Sequence, residues 1–213
     1  MIPRRNLYRA ILVPAIAASL FLGCSHTPAP PRVRVPPRMD LARVGTLGFI
    51  EFNAGDRDGM GGIAAREFLA SLQSAQPGTP VLELGDQRHV LAELGRSTLD
   101  TETVRALGKK YQVDAVIVGT LDSQRVSPKV AFDATFATAS AELEGALDAR
   151  ILDTRSGATV WSTASRARAE IAGVAISDRG VSSVGSNSPD DARRRLVTRL
   201  VRQATQDFWA HWE

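Results

Sequence analysis

"VDAVIVGTL", residues 113–121, decides the fold. This near-continuous apolar and β-branched run reads as a strand covered on both faces. What precedes it is helical. Asp100 is placed to cap a helix carrying Val104, Leu107 and Tyr111 on one face, and Asp86 a shorter one carrying Val90, Leu91 and Leu94. Further back, "PVLEL" (80–84) is a short strand, and Ile63 to Ser74 is a helix with Ala64, Ala65, Phe68, Leu69 and Leu72 inward. "RVGTLGFIEF" (43–52) supplies a first, well-buried strand. Two successive helix-to-strand returns predict a two- or three-layer α/β core.

After the strand the grammar changes. Leu143 to Asp153 and Ala158 to Ser165 read as two strands joined by "TRSG", with Gly157 supplying the turn. Residues 173–188, "GVAISDRGVSSVGSNS", read as a loop or a weak ribbon. Ser188-Pro189-Asp190-Asp191 is a helix start, with a cap, a proline at the first position and acids in the first turn. The helix then carries Val197, Leu200, Val201, Ala204, Phe208 and Trp212 along one stripe, which packs on the sheet. The expected fold is a single mixed-sheet α/β domain over residues 41–213, with helices on the sheet, a β-hairpin and a C-terminal helix.

The 213 residues divide unevenly. Residues 1–23 have the layout of an export signal, with basic Arg4, Arg5 and Arg9, an uncharged stretch from Ala10 to Leu22, and small Gly23 before Cys24. The uncharged stretch is too short to cross a bilayer as a helix. Those three arginines carry the whole formal excess of +3, so the chain from Cys24 onward is formally balanced, and nucleic-acid binding loses its compositional support. Residues 24–40 are rich in proline and read as an extended tether. With one cysteine in the chain no internal disulfide forms.

Motifs for chemistry are sparse. "AGDRDGMGG" lies between a strand and a helix, where a phosphate loop would sit, but it lacks the lysine and hydroxyl of GxxxxGK[ST] and the spacing of GxGxxG; it reads as a flexible turn. Asp56-Arg57-Asp58-Gly59 opens like a calcium loop without its later ligands. "GVSSVG" (180–185) has one residue too many for GxSxG, and His26, His89 and His211 form no cluster in sequence. The expectation is therefore no catalytic residue, no metal, no cofactor and no small-molecule substrate. Arg193-Arg194-Arg195, with Arg199 and Arg202, makes a basic face on the last helix, which reads first as solvated and second as a contact for an anionic lipid or acidic protein. Trp209 and Trp212 read either as core closure or as protruding anchors. The interaction candidates are Arg194, Arg195, Arg199, Trp209 and Trp212.

Phe21-Leu22-Gly23-Cys24 resembles the lipobox of bacterial lipoproteins, which implies acylation of the Cys24 thiol, cleavage before it, and, with Ser25 following, sorting to the periplasmic face of the outer membrane. Two or more acyl chains make a lasting anchor. "VDAVIVGTL" together with "LDARILDTRSGATVWS" (147–162) resembles the periplasmic α/β domain of the LpoB and CsgG lipoproteins, related to the N-terminal domain of TolB. That resemblance spans roughly residues 43–165 and implies a non-enzymatic, lipid-anchored protein that binds another envelope protein or itself. It also implies two alternatives, a curli-type secretion pore and an activator of a peptidoglycan synthase. The pore needs two membrane-crossing hairpins with strands of about 9–11 residues, and both candidate segments, 129–142 and 173–188, read as shorter. Asp178 and Arg179 would also sit awkwardly toward lipid. The short tether counts against the synthase activator.

Overall fold

The computed structural model describes residues 33–55, 59–132, 136–177, 180–186 and 188–212, with 123–140 and 172–187 described as backbone. The export signal, Cys24, His26, Asp56 to Asp58 and the Asp178-Arg179 pair lie outside the described residues. Arg34–Trp212 form one compact unit.

In chain order the strands are β1 (Arg34–Val35), β2 (Leu47–Ile50), β3 (Val81–Gly85), β4 (Ala115–Phe132), β5 (Phe136–Asp153), β6 (Thr159–Ser177), β7 (Gly180–Ser186) and β8 (His211–Trp212). The helices are α1 (Met60–Ala75), α2 (Gln87–Glu93), α3 (Thr101–Tyr111) and α4 (Pro189–Ala204). Six strands form one sheet in the order β3-β2-β4-β5-β6-β7, while β1 and β8 pair separately. β2 runs parallel to both β3 and β4, and β4 through β7 are antiparallel.

The sheet is covered on both faces, giving three layers. Alternation along the strands decides which side chain meets which helices. Leu47, Phe49, Ala115, Ile117, Leu147, Ala149 and Ile151 share a core with α1 and α4. Ile50, Val116, Val118 and Leu152 face the other way, onto Val90 of α2 and Val104 and Leu107 of α3. "VDAVIVGTL" is buried on both sides, as its apolar continuity requires. Phe49, Phe52, Phe68, Trp161 and Phe208 build an aromatic seam in the larger core, with ring centres from 4.7 to 6.5 Å apart along it. Each such side chain, fully buried, contributes about 1.5–3 kcal/mol.

The caps are where the sequence puts them. Asp86 accepts from Arg88 N at 2.7 Å, Asp100 from Thr103 N at 2.8 Å, and Ser188 from Asp191 N at 3.1 Å. At the "TRSG" turn Gly157 has φ 78°, and Asp153 accepts from the backbone N and hydroxyl of Ser156 at 2.7 and 2.6 Å. Those bonds hold the Asp153 carboxyl below its ordinary range.

Several boundaries differ from the sequence reading. α1 starts at Met60, not Ile63, since Ile63 N already donates to Gly59 O at 3.4 Å, and its Gly61 packs against the Phe52 carbonyl where a Cβ would not fit. The first strand is only Leu47–Ile50, since Asp40 caps a 3-10 turn over Leu41–Arg43 and bends the chain there. α4 ends at Ala204, so helical spacing does not reach Trp212: Phe208 is buried in a 3-10 turn, and Trp212 lies on β8, 65% exposed. The largest difference is in β5 and β6, which are 18 and 19 residues long; of the two readings of residues 173–188, residues 173–177 and 180–186 take the ribbon, antiparallel.

The compact unit starts at Arg34, inside the stretch read as tether. Arg34 and Val35 pair with Trp212 and His211, Met39 N donates to Asp207 O at 3.0 Å, and Gln76 Nε2 donates to Met39 O at 2.6 Å. Residues 34–40 are therefore fastened to the C-terminal segment.

Candidate interaction sites

A groove of about 700 Å³ lies between α1, α4 and the segment around β8. Ser71 and Thr205 share a hydroxyl hydrogen bond of 2.8 Å beside it, and Thr198 donates to Glu67 at 2.9 Å. Val201, Arg202, Gln206 and Trp209 also line it, and Arg38 and His211 stand at its N- and C-terminal strand side. Its ionic groups are partly engaged: Asp207 accepts from Trp161 Nε1 at 3.2 Å and lies 3.7 Å from Arg38. A mixed apolar and polar groove of this kind suits a binding contact.

The interaction candidates fall into two places. Arg195 and Arg199 reach β6: their guanidinium groups donate to the Glu170 carbonyl at 3.1 Å and the Arg168 carbonyl at 2.6 Å. They strap α4 to the sheet. Arg194 lies 3.5 Å from Asp191 on the same helix. Trp209 and Trp212 are 42% and 65% exposed, Trp209 on the groove and Trp212 next to His211, which lines it. Both protrude.

The glycine-rich turn leads into α1 with Gly59 at φ 63° and no side-chain cap. The cleft beside it is lined by the carboxyl-bearing Glu51 and Asp86, which oppose a phosphate. His89 lies 3.0 Å from Glu93, and Glu93 also accepts from Lys110 and Tyr111 at 2.6 Å each. Those donors, Lys110 first, hold the Glu93 carboxyl at about 2, and the same contacts raise Lys110 and Tyr111. This cluster ties α2 to α3. Among the described residues no group of three or more His, Cys, Asp or Glu side chains is arranged to hold a metal, and no helix is long and apolar enough to cross a membrane.

The feature that composition hid is an arm. β4 and β5 pair beyond the helical layers as far as Phe132 opposite Ala137, and β6 and β7 follow them. The register fixes which positions share a face. Val126, Leu143 and Ala169 form one row, with Leu143 and Ala169 buried in the larger core. The rows beyond it on that face are Pro128, Ala141 and Ala172, then Val130, Ala139 and Val174, then Phe132, Ala137 and Ile176. The opposite face carries Ser127, Glu142 and Glu170, then Lys129, Ser140 and Gly173, then Ala131, Thr138 and Ala175, and at the tip Phe136 and Ser177. By position the first face is apolar along β4, β5 and β6, with Ser186 and Ser183 of β7 beside Ala172 and Val174, while the other is polar near the helical layers and mixed toward the tip. Pro128 lies where β4 has become an edge strand, the place in a sheet that tolerates it.

No family model and no curated protein matches the sequence. Among solved structures, the chain is similar to the PelC dodecamer from Paraburkholderia phytofirmans at 12% identity and TM-score 0.45, covering 85% of this chain and 98% of that one. It is similar to the LpoB C-terminal domain from Salmonella enterica at 13% identity and TM-score 0.35, covering 58% and 82%. Lipoprotein GNA1162 from Neisseria meningitidis has 16% identity and TM-score 0.35, covering 75% and 96%. At these identities and scores the likenesses carry no information on activity or partner.

Proposed function

We propose that this chain is a non-enzymatic lipoprotein, anchored through acylated Cys24 to the periplasmic face of the outer membrane, that works by protein contact: it binds another envelope protein or assembles with copies of itself. The anchor is supported by the basic, apolar and small-residue layout before Cys24. The contact reading is carried by the arm. Its apolar rows continue the face that α1 and α4 cover lower down. An amphipathic sheet with open edges invites a partner strand or face. The test is the native mass of the full-length lipoprotein in mild detergent, with cross-linkers placed at positions 139 and 174. A discrete assembly, or a monomer that cross-links one envelope protein through the arm, supports the proposal. A monomer with no arm-specific product overturns it.

One observation favours a second reading, the subunit of a curli-type pore. The sequence reading made both candidate hairpins too short, yet β4 and β5 are each 18 residues long and their paired outer halves approach the span of about 9–11 residues that a bilayer-crossing strand needs. β7, at seven residues, stays short of it. Ion conductance across a planar bilayer distinguishes the two: a discrete channel supports the pore, and its absence from a detergent-extracted ring leaves the contact reading alone.

A further inference from the structure

Trp209 and Trp212 are needed by nothing in the core, because Trp161 and Phe208, with ring centres 4.7 Å apart, already close it at that end. Exposed indoles, each an apolar body with one polar handle, suit a lipid–water interface. Exposed Arg34, Arg38 and Arg202 stand on the same end of the molecule. Two acids stand nearby, Asp207, which lies 3.7 Å from Arg38 and accepts from Trp161, and Glu67, which accepts from Thr198, so the three arginines leave a positive excess there. Arginine beside tryptophan fits an anionic headgroup layer.

The path of the chain points the same way. Arg34 is the first residue of the compact unit and pairs with Trp212 itself. Cys24 lies only ten residues earlier, which even fully extended span at most about 36 Å. Acyl chains on Cys24 therefore keep this end of the sheet near the bilayer. The arm is at the other end: β6 starts beside Trp161 and runs 19 residues to Ser177, roughly 60 Å away.

We infer that the β1–β8 ribbon, with Trp209, Trp212, Arg34, Arg38 and Arg202, rests on the anionic lipid interface, so that the arm projects away from the membrane toward its partner. The inference builds on the Cys24 anchor proposed above, and it favours the contact reading over the pore, which needs the arm in the bilayer.

The experiment places the mature lipoprotein on vesicles of phosphatidylethanolamine and phosphatidylglycerol containing acyl-brominated phosphatidylcholine, and reads tryptophan emission. A second sample carries Trp209→Phe with Trp212→Phe, leaving buried Trp161 as the reporter. Expected are a blue shift and bromine quenching in the wild type, both lost in the double variant. If the acylated protein floats with the vesicles but is not quenched, or if the variant is quenched equally, the surface is wrong while the anchor stands. If mass spectrometry finds Cys24 unmodified, the anchor reading fails. The unmodified chain titrated with the same vesicles then decides the surface by itself: quenching sustains it, and unquenched emission overturns it.

Discussion

The indole of Trp161 donates through Nε1 to Asp207 Oδ2 at 3.2 Å, joining the start of β6 to the turn after α4. Trp161 is only 8% exposed, so its donor has little access to water once the carboxylate is gone. Asp207→Ala should cost about 1–3 kcal/mol, the range for stranding a buried polar group. Arg38, whose side chain is 85% exposed, meets the same carboxylate at 3.7 Å, and Arg38→Ala should cost less than about 1 kcal/mol. Urea midpoints of the two variants check the ranking, and equal losses would refute it.

Gln76 joins the segment before β2 to the turn after α4. Its Oε1 accepts from Leu41 N at 2.7 Å, and its Nε2 donates to Met39 O at 2.6 Å and Phe208 O at 3.1 Å. Gln76→Leu removes all three bonds and leaves the backbone groups to compete for water. The expected result is a loss of about 1–3 kcal/mol and faster tryptic cleavage at Arg34 and Arg38 than elsewhere in the domain. Uniform acceleration at every site would point to global destabilisation instead.

Where residue chemistry is local, the sequence was legible. The caps at Asp86, Asp100 and Ser188, the turn at Gly157 and the doubly covered strand at 113–121 all follow from a few adjacent side chains. What hid the arm is composition: residues 137–141 are alanine, threonine and serine, small side chains with a weaker strand signature than valine or isoleucine, and their pairing depends on partners far along the chain. The docking of residues 34–40 was masked in the same way, because a proline-rich stretch reads as free when its partners, Gln76 and Asp207, are remote in sequence. For Arg195 and Arg199, a charge run looks solvated until β6 carbonyls are seen beneath it. For Trp209 and Trp212 the sequence left core closure and protrusion both open, because the end of α4, which decides between them, is marked by no glycine or proline.

Glu93 gives the α2–α3 contact a pH dependence of known sign. Lys110, Tyr111 and His89 favour its ionised form, lowering its pKa from 4.5 to about 2. A carboxyl depressed in the folded state stabilises it above the unfolded value, and that contribution is lost as pH falls from 4.5 through about 2. Glu93→Gln should therefore be less stable than wild type at neutral pH and converge with it at the acid end. Hydrogen exchange of α2 amides across that range checks the effect; a gap independent of pH would show that the contact acts through packing alone.

Position 139 tests the arm most directly. By register Ala139 lies opposite Val130 on one side and Val174 on the other, in the middle of the apolar rows and beyond the reach of α4. A carboxylate introduced there by Ala139→Asp faces whatever covers those rows, and burying an unpaired charge costs several kcal/mol, enough to dissolve a contact. The fold below the arm does not depend on this position, so the unfolding free energy read from urea titration should change by less than about 1 kcal/mol, the usual scale for a surface change. The expected outcome is a native mass that falls to the monomer, or loss of the cross-linked partner, with folding intact. The matched change on the polar face, Ser140→Asp, should leave the assembly whole. If both variants assemble like wild type, the apolar rows are not the contact, whatever the mass of the assembly.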